Sequence, residues 1–89
     1  MKAILTVIGK DRVGIIAGVS TQLAELKINI LDVSQTIMSG YFTMMMMLDL
    51  SNAEANFDEI KKSLAEKGKL LQVQIKIQRE EIFKSMHSL

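Results

Sequence analysis

The chain has 89 residues, 48% of them hydrophobic, enough for one compact domain with a small core and too few for two. Its 11 basic and 10 acidic residues are spread along the sequence for a net charge of +1, which disfavours nucleic acid and anionic membranes as partners. Cysteine is absent, which excludes disulfides, thiolate metal sites and thiol catalysis, and a cytoplasmic location with no cofactor is expected.

At the amino terminus, the apolar run in "MKAILTVIGKDRVG" is too short for a signal segment or for a membrane span of about 20 residues. Residues 3–8, "AILTVI", are apolar on both faces and predict a central strand that Gly9 ends. From Val13 the spacing becomes helical, with Ile16, Val19, Leu23 and Leu26 as the apolar stripe and Ser20, Thr21, Gln22 and Glu25 opposite. Residues 30–38 return to period two. Leu31, Val33, Gln35 and Ile37 share one face, and Ile30, Asp32, Ser34, Thr36 and Met38 the other.

"SGY", residues 39–41, reads as a hairpin turn. In the strand "YFTMMMMLDL", Phe42, Met44, Met46, Leu48 and Leu50 line one face while Met45 and Met47 make the second face apolar too. A second helix follows, with Ser51 or Asn52 as its cap, Phe57, Ile60 and Leu64 as its stripe and Gly68 at its close. The strand "LLQVQIKIQ" sets Leu71, Val73, Ile75 and Ile77 against a wet face of Gln72, Gln74, Lys76 and Gln78. A terminal helix, "REEIFKSMHSL", offers Ile82, Phe83 and Met86 as a docking face.

This order predicts the α+β class: a ferredoxin-like βαββαβ sandwich, a four-stranded antiparallel sheet with two helices on one face, plus a short C-terminal helix. Residues 1–78 form the domain and 79–89 a helical extension. The apolar second face of "AILTVI" and "MMMML" then needs a cover, and a homodimer or the terminal helix can supply it.

Candidate chemistry is sparse. His87 sits near the chain end with no nucleophile or metal co-ligand in the composition, and reads as a solvated terminal residue. Most carboxylates fall on helix faces beside lysines. Asp32 lies on a strand, and alone it makes no acid–base pair. An RNA-recognition module of this topology would stack bases on aromatic residues where "YFTMMMML" offers methionines. In the segment "GKDRVGIIAG", Gly9, Asp11 as helix cap and Gly14 account for the turn of a strand into a helix. Lys10 and Arg12 are surplus to that turn. Beside a helix amino terminus they suit a carboxylate held by the N–H groups of Val13, Gly14 and Ile15, with Asp11 accepting from an ammonium group and Asn29 adding an amide.

The segments "GKDRVGIIAGVSTQLAELKINI", "VSQT" and "YFTMMMML" together resemble the ACT domain, across Met1 to about Gln78. The "DRVGI" form is similar to the ACT modules of the glycine-cleavage repressor and of formyltetrahydrofolate deformylase, with Val13 where many members have proline. The whole chain, "IFKSMHSL" included, resembles the stand-alone UPF0237 group. This resemblance implies a non-enzymatic regulatory domain binding a small amino acid or related carboxylate at a homodimer interface. Lys10, Asp11, Arg12, Val13, Gly14 and Ile15 of one chain would face Asn29 and Ile30 of the other, and a separate metabolic enzyme or regulator would receive the signal. Two alternatives stand beside it: a protein–protein interaction module without a ligand, and an acylphosphatase-like hydrolase using Arg12 as its anion cradle.

Overall fold

The computed structural model describes residues 1–86 and runs β1 (Lys2–Lys10), α1 (Ile15–Glu25), β2 (Asn29–Met38), β3 (Tyr41–Asp49), α2 (Phe57–Leu71), β4 (Val73–Arg79) and α3 (Glu80–Met86). The strands form one antiparallel sheet in the order β2-β3-β1-β4, the ferredoxin-like arrangement expected from the element order. β1 is central, which is why "AILTVI" is apolar throughout. Ala3, Leu5 and Val7 point into the core, where they join Met44, Met46 and Leu48 of β3. Ile15, Val19 and Leu23 of α1 and Ile60 and Leu64 of α2 close that core from one side, each such side chain stabilising the fold by about 1.5–3 kcal/mol. The opposite side is the open face. Met38 and Tyr41 pair across the two-residue turn Ser39–Gly40, whose φ values of 53° and 80° give the left-handed pair that suits a tight hairpin.

Local expectations are corrected at several points. α1 starts at Ile15 rather than Val13, so Ile15, Val19 and Leu23 form its buried stripe and Ile16 is exposed. α2 starts after Asn56, not after Ser51 or Asn52. The Glu59 N–H donates to Asn56 Oδ1 at 2.9 Å and the Asn56 N–H donates to Glu59 Oε1 at 3.0 Å, a reciprocal capping box. Gly68 does not close α2, which runs on to Leu71 and ends at Gln72 with φ 59°, so Leu70 and Leu71 are helical, Gln72 is the cap, and β4 starts at Val73 rather than with "LLQ". Gly68 is buried where a Cβ would stand 2.8 Å from the Val73 carbonyl oxygen, so it permits close packing of helix on strand.

A further correction concerns β2. A bulge between Ile30 and Asp32 breaks the alternation, so that Ile30, Val33, Gln35 and Ile37 share the helix side while Asp32, Ser34, Thr36 and Met38 share the open face. In α3, Phe83 is half-buried but Ile82 is exposed, so the docking face is narrower than expected. His87 and the side chain of Met86 lie outside the described residues.

Candidate functional site

The loop from Asp11 to Gly14 joins the end of β1 to α1. Its first residue is tied to the hairpin turn, the Asp11 N–H donating to the Gly40 carbonyl at 2.9 Å. Its last residue, Gly14, has φ 93° and is the N-cap of α1, a left-handed backbone that glycine adopts at least cost. Asp11 therefore does not cap the helix: with α1 starting at Ile15, it stands three residues too early in the chain. No side chain caps this terminus, and the first turn carries no acidic residue. The N–H groups of Ile15, Ile16 and Ala17 thus present their dipoles without a side-chain acceptor. Gly18 N–H donates to the Gly14 carbonyl at 2.8 Å and starts the helical ladder.

Around this terminus Lys10, Asp11, Arg12 and Val13 are all exposed, and Ile15 anchors the start of α1 in the core. Among the described residues, none of Lys10, Asp11 and Arg12 forms an ion pair; the ion pairs present are Lys27–Glu54 at 2.6 Å and Lys84–Glu80 at 4.0 Å. Arg12 and an uncapped helix end therefore share one exposed loop, an arrangement chemically suited to a carboxylate, whereas Lys10 ends β1 on the side of the sheet away from the helices.

Asn29 and Ile30 are elsewhere. They open β2 beside Asp49 and Leu48, at the end of the sheet where β1 begins, whereas the loop follows the end where β1 stops. Nine-residue β1 separates the two ends by about 27 Å. One chain cannot bring Asn29 to Arg12. A two-fold axis normal to the sheet beside the β2 edge would exchange the ends and bring Asn29 of one chain toward the loop of another. Residues 29–38 suit such pairing, since β2 is a sheet edge that carries no lysine, arginine or proline.

Asn29 faces a polarised neighbour. The Asp49 carboxylate accepts from the Ser51 hydroxyl at 2.6 Å and from the Ser51 N–H at 2.9 Å, which holds its carboxyl below the usual carboxylate range. Among the described residues, no cluster of His, Cys, Asp or Glu could hold a metal ion, and no helix is long and apolar enough to cross a membrane. The β2 bulge also forms a shallow depression of about 230 Å³ on the open face, beside Asp32, Ser34, Met45, Met47 and Ile4. Alternation alone carried no signal for it, because the extra residue, Leu31, is as good a strand former as its neighbours.

Known proteins place the chain. A family model described as the ACT domain matches residues 2–78. A UPF0237 protein of Listeria monocytogenes is 70% identical over 89 residues, covering 100% of each chain. Among solved structures, an ACT domain protein from Streptococcus pneumoniae superposes with a TM-score of 0.83 at 46% identity, covering 94% of each chain. A formyltetrahydrofolate deformylase from Pseudomonas syringae gives a TM-score of 0.79 at 25% identity, over 88% of this chain and 27% of that one.

Proposed function

The chain belongs to the ACT domain family, in its UPF0237 group, and from that premise we propose that it is a non-enzymatic regulatory module that binds a small amino acid or related carboxylate between two copies of itself. The observation that carries this reading is the uncapped amino terminus of α1, left bare by Gly14 in the loop that also carries Arg12, which forms no ion pair among the described residues. A turn does not need that cation. The ligand carboxylate takes the helix N–H groups and the Arg12 guanidinium, and its ammonium group takes Asp11. Asn29 and Ile30 of the other copy complete the site, their place at the far end of the sheet being the reason a second copy is required.

The mechanism follows from that division. A ligand held by groups from two chains binds the paired state better than the single chain, and so shifts the association equilibrium by its differential affinity. A separate enzyme or regulator that recognises one state receives the signal. Isothermal titration with a panel of amino acids tests this: saturable heat is expected for at least one of them, with affinity lowered at least about tenfold in Arg12→Ala. No binding of any amino acid at millimolar concentration would overturn it.

A further inference from the structure

The sheet has two edges, and they differ in charge. β2 carries no lysine or arginine, whereas β4, which among the described residues pairs with a strand on one side only, carries Lys76 at its centre and Arg79 at its end. The register puts Ile75 and Ile77 on the helix side, opposite Val7 and Leu5, and Gln74, Lys76 and Gln78 on the open face. α2 lies close on this strand at Gly68, where a Cβ would stand 2.8 Å from the Val73 carbonyl oxygen and 3.3 Å from the Ile75 side chain. Earlier in α2 the helix and strand part. A groove of about 270 Å³ opens there along the edge, between Lys61 and Ala65 of α2 and residues 75–78 of β4.

The floor of this groove is apolar, from Ala65, Ile75 and Ile77, and its rim is basic, from the exposed Lys61 and Lys76. Neither lysine forms an ion pair among the described residues. Arg79 adds a third cation past the groove, 4.6 Å over the Phe57 ring. Against these stands Asp58, one turn before Lys61 on the same side of α2, while Glu80 and Glu81 lie past the end of the strand beside Lys2.

An edge strand offers unpaired N–H and C=O groups to another chain. A second copy fits poorly: antiparallel pairing of Val73–Arg79 with itself along its full length sets Lys76 directly opposite Lys76, a like-charge contact that disfavours it. An acidic strand fits well. Because side chains alternate, a strand laid beside β4 puts every second residue on the helix side, in the groove with Ile75 and Ile77, and the residues between them on the open face beside Lys76.

We propose that the β4 edge binds, by strand addition, an extended segment of another protein in which apolar and acidic residues alternate. Main-chain hydrogen bonds to β4 hold the segment, an apolar side chain fills the groove, and the carboxylates beside it meet Lys76, with Lys61 at the groove mouth adding to the attraction. The segment belongs to the separate enzyme or regulator of the proposed function, and only that identification rests on the proposed function. The contact itself uses neither the Asp11–Gly14 loop nor β2.

Fluorescence anisotropy of the full chain with a labelled peptide as long as β4, seven residues alternating valine and glutamate, tests the proposal. Saturable binding is expected, weakened at least about tenfold when lysine replaces glutamate or when the peptide's backbone nitrogens are methylated. Lys76→Glu should reverse the preference, so that the lysine peptide binds better. Ala65→Arg, which fills the groove without changing its sign, should weaken the glutamate peptide about tenfold, with thermal melts confirming that both variants fold. In hydrogen exchange, β4 amides should gain protection with the peptide and β2 amides should not. Arg12→Ala leaves peptide binding unchanged, so a failed amino-acid titration and a failed peptide titration are separate results. Equal binding of the glutamate, lysine and methylated peptides overturns the proposal, as does β4 protection that rises with the concentration of the chain alone, which would put a second copy on that edge.

Discussion

At the scale of single residues, Gly14 and Asp49 carry the clearest consequences. Gly14 holds φ 93° with nothing within 4 Å of where a Cβ would stand, so an alanine there meets no clash and only a backbone cost. Gly14→Ala should lower stability by about 1–2 kcal/mol in urea denaturation and disturb the start of α1, with no change in core packing. Asp49 has its pKa lowered by the Ser51 hydroxyl and N–H, so the stabilisation it gives is present at neutral pH and lost as pH falls through the depressed value. Ser51→Ala should move the Asp49 titration upward, toward an ordinary carboxylate, in an NMR pH series. Asn56→Ala removes half of the α2 capping box and should cost about 1 kcal/mol.

At the scale of elements, the methionine strand separates packing from surface. Met44 and Met46 are buried between β1, β2 and the helices, while Met45 is 37% exposed on the other face. Met44→Ala should destabilise by about 2–5 kcal/mol and Met45→Ala by about 0.5 kcal/mol or less, read from denaturation midpoints. Period and composition made the order of strands and helices legible: "AILTVI" as the central strand, the "VQIKIQ" part of "LLQVQIKIQ" as one with a wet face, "SGY" as a hairpin, while Leu70 and Leu71 proved to be the end of α2. They misplaced the ends. Asp11, Ser51 and Asn52 each looked like caps, but a cap must sit directly before the first helical residue, and the helices start where Ile15 and Phe57 reach the core. Gly68 looked like a stop because a glycine near a helix end usually is one, and its true reason, the nearby Val73 carbonyl, is a tertiary contact. The β2 bulge is likewise set by pairing with β3, which no single strand's pattern contains.

At the scale of the whole molecule, the loop half of the candidate site was legible because its residues are contiguous: Lys10 and Arg12 flank a glycine-bounded helix start in the sequence itself. Asn29 was named beside that loop as a source of an amide, but its assignment to a second chain, with Ile30, came through family resemblance, since it lies about 27 Å away in the same chain. That division makes the central claim directly testable. Arg12→Ala removes the loop's part of both sites in a pair, and Asn29→Ala removes the strand's part. Each variant alone should then lose amino-acid binding. Mixed in equal amounts and allowed to exchange, half of the pairs are hybrids with one intact site in two, so calorimetry of the mixture should recover about one quarter of the wild-type site number at wild-type affinity. A mixture that binds no better than its two components would contradict a site shared between chains.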